Sequence, residues 1–309
     1  MLDDVNFDLR IGERLGVVGG PHSGKSALAR ALLWAAEPPQ ELTSGTLELS
    51  GRPLHSLGEQ RWQDVQCRRV ALLDDYVRGV DPGWSIGRQI TSAVSRRGGT
   101  TEASARHSAV ELLDEVGMPN PARVYGYLVN ELTAELQIRA MLALALAREP
   151  AVLVVDEPLA HRDPLMRRQI LGALQQVSDS RGMAVVVTGR DLDVLACHCD
   201  TLQVLLAGRT VERGPAKQVA TRPRHRYTEA LRLGHGFTEN NDRSHAAFGC
   251  AFEPECAVGR GHAECRQVTP GPTAFSSQYG SVTAKCHHPT GKAPARNVSG
   301  RRRAQRPPG

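Results

Sequence analysis

Eight residues, Gly19-Gly20-Pro21-His22-Ser23-Gly24-Lys25-Ser26, constrain this chain more than any other part of it. They fit the pattern G-x-x-x-x-G-K-[ST] in full. An apolar run, Leu15-Gly16-Val17-Val18, leads in, and a helix-forming run, Ala27 to Trp34, leads out. The pattern predicts a strand, a glycine-rich turn and a helix start. Such a unit is an anion site, because backbone N–H groups and the positive end of the helix dipole point at a phosphate. Lys25 is placed to reach the β- and γ-phosphates of ATP and the Ser26 hydroxyl to hold magnesium. The expected ATP-binding segment therefore runs from Gly19 to Ala27. Lys25, Lys217, Lys285 and Lys292 are the only lysines among 38 basic residues, so composition by itself would favour arginine at this position.

The rest of the chain suits an α/β fold. Leu15–Val18, Val70–Leu73, Ala151–Val155, Met183–Val187 and Leu202–Leu206 are short continuous apolar runs separated by helical stretches. That pattern predicts parallel strands covered on both faces. Residues 88–148 read as a helical insertion. Within it Ala105, Ala109, Leu112, Leu113 and Val116 fall at helical spacing over Glu102–Val116, and Gly117 and Pro119 close the helix. After about residue 215 Pro, Gly, His and Cys rise and apolar periodicity fades. The expected organisation is a phosphate-loop ATPase core over 1–87 and 149–215, a helical subdomain over 88–148, a small cysteine-containing extension over 216–290 and a disordered tail over 291–309.

A second motif agrees with the first. Ala151-Val152-Leu153-Val154-Val155-Asp156-Glu157-Pro158 reads as a buried strand ending in two carboxylates. Asp156 is placed to hold magnesium, and Glu157 to orient or deprotonate the water that attacks the γ-phosphate.

Together these residues resemble the ATP-binding subunit of an ABC transporter, over nearly the whole chain. Asp3 to Gly19 is similar to the segment that leads into that family's phosphate loop. Glu131 to Arg139, followed by Ala143 to Ala147, stands where the family has its signature loop and helix. Asp163 matches the D-loop aspartate, and Leu206 to Gly214 matches the turn and strand after the last core helix. Pro223-Arg224-His225-Arg226-Tyr227-Thr228-Glu229-Ala230-Leu231 resembles a segment of oligopeptide, dipeptide and nickel importers, as does the cysteine-bearing stretch beyond it. The resemblance implies a peripheral protein on the cytoplasmic face of the membrane. Its implied partners are a second ATPase subunit and transmembrane permease subunits, and the solute meets only other subunits.

The departures from the family pattern fall on the parts that sense and complete the transition state. Leu132-Thr133-Ala134-Glu135-Leu136 stands in place of L-S-G-G-Q, so both glycines are missing and Glu135 carries a negative charge toward a polyanion. Leu73-Asp74-Asp75-Tyr76 lacks the Q-loop glutamine, and Thr188-Gly189-Arg190-Asp191-Leu192 has Arg190 in place of the switch histidine. Arg190 can contact a γ-phosphate as a cation but cannot supply neutral hydrogen bonding. The family's earlier strand and adenine-stacking aromatic residue have no counterpart after Met1, so either the true start lies upstream or the base is bound with one wall missing. These changes imply a heterodimer with unequal sites and weak or partner-dependent hydrolysis. The alternative reading is a nucleotide-binding regulator without a transport role.

Cys250, Cys256, Cys265 and Cys286 are separated by gaps that do not match the C-x-x-C of zinc ribbons. Four thiolates can hold a 4Fe–4S cluster, and the resemblance points that way. Zinc and unligated, redox-labile thiols are the other readings. Under the alternative function this module would sense redox state or iron. The net charge of +5 resides in the tail, where 291–309 carry Lys292, Arg296, Arg301, Arg302, Arg303 and Arg306 and no acid. The remainder sums to −1, which argues against a nucleic-acid surface. No run approaches the roughly 18 apolar residues that a membrane span needs.

Overall fold

The computed structural model describes residues 2–33, 44–53, 69–74, 80–157, 163–234 and 248–291. The five apolar runs form five adjacent parallel strands in the order β4(Val70–Asp74)–β5(Val152–Asp156)–β6(Ala184–Gly189)–β1(Arg14–Val18)–β7(Thr201–Leu206). β1 sits in the middle, with Leu15, Val17 and Val18 fully buried. Continuous apolar sequence is what a strand packed on both faces requires. A minor sheet pairs β2(Glu48–Leu49) with β3(Arg52–Pro53).

The sheet becomes antiparallel beyond β7. Leu206 pairs with Arg209 across a two-residue turn, Ala207-Gly208, in which both residues have positive φ. Such a turn matches the right-handed twist of a hairpin, and it returns the chain as β8(Arg209–Pro215). β9(Thr273–Ser277) and β10(Gly280–Ala284) then add to the same sheet, with β10 pairing to β8 through Thr283–Arg213 and Ala284–Glu212. The sequence suggests an appended C-terminal module, but the backbone of that module continues the core sheet.

α1(Lys25–Leu32) follows the phosphate loop. α2(Ile86–Ser95), α3(Glu102–Glu115), α4(Pro121–Val124) and α5(Ala134–Leu146) make a helical lobe. Thr101 caps α3 by accepting the amide of Ser104, and Ala105, Ala109, Leu112 and Leu113 are buried as their spacing predicts. α6(Pro164–Arg181) meets this lobe through Arg181, whose guanidinium takes both carboxylate oxygens of Glu115. α7(Leu192–His198), α8(Ala216–Thr221), α9(Arg226–Arg232) and α10(Ala263–Gln267) complete the helices among the described residues. Cys67, the Q-loop position at Asp75 and Tyr76, and the basic tail from 292 lie outside them.

Candidate nucleotide site

The loop between β1 and α1 has the shape its sequence predicts. A Cβ on Gly19 would lie 2.5 Å from the carbonyl oxygen of Leu205, so a side chain there would push the loop off the sheet. Gly24 has φ +104 and opens α1 with no side chain capping it. The amides of Lys25, Ser26 and Ala27 have no acceptor within the helix and face the loop's concavity as a positive end. Pro21 has no N–H to offer, and His22 takes a left-handed backbone, φ +56.

Lys25 is buried, at 4% exposure, and folds back over its own loop. Its ammonium donates to the carbonyls of Gly19 at 2.9 Å and Gly20 at 2.8 Å, and to Ser23 Oγ at 3.3 Å. It also pairs with Glu157 Oε1 at 3.0 Å. Burial lowers its pKa, and the charge of Glu157 opposes that shift.

β5 ends at Asp156 and Glu157, beside the start of α1. Ser26 Oγ lies 3.3 Å from Asp156 Oδ1, close enough for one cation to be shared between them. Thr188, near the end of β6, joins the two acids. Its hydroxyl donates to Asp156 Oδ1 at 2.7 Å and accepts the Glu157 amide at 2.9 Å. Glu157 has φ +42, a costly conformation for a residue with a side chain, held by that bond and by its ion pairs. Arg190 Nε stands 3.6 Å from Glu157 Oε2, so the carboxylate lies between two cations. Lys25, Ser26, Asp156, Glu157 and Arg190, which the sequence scatters, thus form one cluster.

The other expected positions lie apart from it. Asp163 caps α6, accepting the amides of Leu165 and Met166, each at 3.0 Å. Leu132 is buried, and Thr133 caps α5 by accepting the Leu136 amide. Ala134 and Glu135 form the first turn of that helix. Glu135 Oε1 accepts both Nε and Nη2 of Arg139, while Arg139 Nη1 donates to the Val116 carbonyl at 2.7 Å. The negative charge anticipated at Glu135 is therefore compensated within its own helix.

Cys250, Cys256, Cys265 and Cys286 line one enclosed cavity with His225, Phe252 and His287. All four are free thiols. Burial pushes Cys250 up to about 11 and raises Cys265 and Cys286 as well. Among the described residues no group of three or more His, Cys, Asp or Glu is arranged to hold a metal ion. Cys197, on α7, is exposed, and Cys199, which ends that helix, is buried.

Two residues of the site carry no motif. Thr188 is a polar residue in the apolar run of β6, placed one strand over from the paired acids, and that position was its signal. Tyr227 belongs to the segment that resembles peptide importers, yet its contact, a 2.8 Å bond from the Gly20 amide to its hydroxyl, joins residues 207 apart in sequence.

The family model for the ABC transporter matches residues 2–160, more than half of the chain. The chain belongs to the ABC transporter family. A Brucella melitensis protein whose name gives it as a peptide import ATP-binding protein is 31% identical over 282 residues, covering 87% of this chain and 84% of that protein. The dipeptide transport ATP-binding protein DppD of Escherichia coli is 28% identical over 301 residues, 93% of this chain and 90% of its own. Among solved structures, cbiO1 from Clostridium perfringens, part of the ABC transporter complex cbiONQ, superposes with a TM-score of 0.64 at 20% identity, over 75% of this chain and 89% of that one. The ADP- and Pi-bound dimer of the ATP-binding cassette MJ0796 gives 0.60 at 20% identity, over 70% and 90%. At that identity the structures speak for the shared fold. No described helix is long and apolar enough to cross a membrane.

Proposed function

We propose that this chain is the ATP-binding, energy-coupling subunit of a peptide-type importer. The observation that carries the reading is the convergence of Lys25, Ser26, Asp156 and Glu157 at the first turn of α1. The first-turn amides and Lys25 would neutralise the β- and γ-phosphates of ATP, and Ser26 and Asp156 would hold magnesium, which neutralises charge on the same oxygens. Lys25 must exchange Glu157 for phosphate, which releases the carboxylate to orient water. Arg190, beside Glu157, supplies a second cation at the γ-phosphate. The names of the relatives, peptide import and dipeptide transport, support the substrate class of the whole transporter.

A second ATPase subunit and a permease are the implied partners, at the cytoplasmic face of the membrane, and they alone would meet the solute. The loss of both signature glycines and the Glu135–Arg139 pair favour a heterodimer in which this chain's own phosphate loop faces an intact partner signature. The reciprocal site would turn over weakly. The cysteine cavity offers the donor set of a 4Fe–4S cluster, and its thiols would have to deprotonate and draw together to hold one. A cluster there would tie four chain segments into one unit. Iron and acid-labile sulfide content of anaerobically purified protein tests that assignment.

MgATP affinity of the purified chain, beside Lys25→Ala, tests the nucleotide site. Micromolar binding lost in the variant supports it, and equal affinity of the two proteins overturns it. Co-purification with a permease supports the transport reading. The four-thiol cavity also suits a redox- or iron-sensing nucleotide-binding regulator, which binding without any permease would select.

A further inference from the structure

We propose that Tyr227 is a positioning residue for the phosphate loop, and that through it nucleotide binding is linked to the packing of the cysteine module. The proposal deepens the nucleotide-site reading and rests on it.

Tyr227 is 1% exposed. Its hydroxyl accepts the Gly20 amide at 2.8 Å, while the Gly20 carbonyl accepts Lys25 Nζ at 2.8 Å. The Gly19–Gly20 peptide unit therefore accepts Lys25 Nζ at its carbonyl, at 2.9 Å, and is held from behind at its amide by the tyrosine. Gly20 has no side chain to fix its backbone, so this bond supplies a restraint that the residue itself cannot. It also means that the Gly20 amide points away from the concavity, unlike those of the first turn of α1. The sequence alone places Gly20 among the phosphate donors, whereas the structure gives it a supporting part.

The far side of Tyr227 belongs to the cysteine module. Its ring meets Phe252 edge-on, with centroids 5.6 Å apart. Its amide donates to His225 Nδ1 at 3.0 Å. His225 is fully buried, and its Nδ1 is an acceptor. A ring that accepts at Nδ1 carries its proton on Nε2, which faces Cys250 Sγ at 3.8 Å. Cys250 and Phe252 both line the thiol cavity. A rearrangement of that cavity, by oxidation, alkylation or metal loading, moves the groups against which Tyr227 is packed. The cavity is small and enclosed, and the direct contacts of Tyr227 with Phe252 and His225 carry such a shift to the tyrosine. Linkage makes the coupling reciprocal: whatever nucleotide does to the cavity, the cavity does to nucleotide affinity.

Isothermal titration of MgATP into the full chain and into Tyr227→Phe tests the proposal. Phe252 and the ring contact stay, and only the hydroxyl is lost. The expected result is an affinity about tenfold weaker, from a buried amide left without its acceptor. A wild-type affinity in the folded variant overturns the proposal. A merely structural role would lower the melting temperature and leave the affinity unchanged. The second readout is amide hydrogen exchange over residues 249–256 with and without MgATP, measured on the wild-type chain so that it stands even if the variant does not fold. Slower exchange on binding supports the linkage, and no change sinks it. Lys25→Ala separates the two readings. If it binds MgATP as well as wild type, the nucleotide site itself is misplaced. If it does not bind while Tyr227→Phe binds normally, only the present proposal fails.

Discussion

Lys25 Nζ lies 3.0 Å from Glu157 Oε1, so the phosphate-loop cation and the expected catalytic carboxylate neutralise each other. Lys25 is nearly buried and Glu157 is 21% exposed, which shields the pair from salt more than a surface pair. Phosphate must compete with this carboxylate for Lys25. Glu157→Gln removes the competitor and a like charge near the γ-phosphate. We expect MgATP affinity to rise by about three- to tenfold, while hydrolysis falls by about a hundredfold or more with the loss of the group that orients water. Titration calorimetry and phosphate release measure the two effects, and an affinity that falls would show that Glu157 does not restrain Lys25.

Thr188 sets the geometry of both acids through a single hydroxyl. Thr188→Val keeps the shape and removes that donor and acceptor. Asp156 loses one hydrogen bond and the Glu157 amide loses its acceptor, so the expected cost in stability is about 1–3 kcal/mol. Because Asp156 then turns more freely, the magnesium concentration for half-maximal ATP binding should rise several-fold. A titration of magnesium at fixed ATP reads this directly, and an unchanged midpoint would assign Thr188 to stability alone.

Glu135 belongs to the helical lobe, paired with Arg139 four residues on. Glu135→Ala should therefore leave MgATP affinity of the isolated chain unchanged. It should lower the urea midpoint by an amount equivalent to about 0.5–1 kcal/mol, since a partly exposed i,i+4 pair contributes little. A changed affinity in the isolated chain would place this residue at its own nucleotide site and contradict the arrangement described above.

The five parallel strands were legible because each is a short apolar run, rich in Val and Leu, of the length that a doubly covered sheet buries. β9 and β10 were not, because Thr273–Ser277 and Gly280–Ala284 read as polar, glycine-punctuated chain. Phe275, Val282 and Ala284 are their buried hydrophobic positions. β9 is the edge strand and β10 lies between it and β8; antiparallel strands of this kind need bury only one face, so their sequence signal is weak. The phosphate loop and the paired acids were legible as motifs, since the chemistry fixes residue types at fixed spacing. Tyr227 was not, because its partner is a backbone amide 207 residues away and a backbone amide has no sequence signature. The Arg139 partner of Glu135 follows from helical i,i+4 spacing.

Glu212 gives the fold a dependence on pH. It is fully buried on β8, and its two carboxylate oxygens accept the amides of Arg224 at 2.7 Å and His225 at 2.9 Å, which sets the turn that leads to Tyr227. Burial pushes its pKa up to about 7, against the pull of those two amides. A carboxyl that holds its proton more tightly when folded contributes stability fully below its unfolded value near 4.5. That contribution is lost as pH rises through about 7. The displacement is worth on the order of 3 kcal/mol across this window. Urea denaturation of the wild-type chain should therefore show stability falling from pH 5 to pH 8 more steeply than in Glu212→Gln, whose side chain does not titrate. Above about pH 8 the difference in slope should vanish, because the carboxyl is ionised in both states. Parallel curves for the two proteins between pH 5 and 8 would show that Glu212 is already charged in the folded chain, held so by the Arg224 and His225 amides.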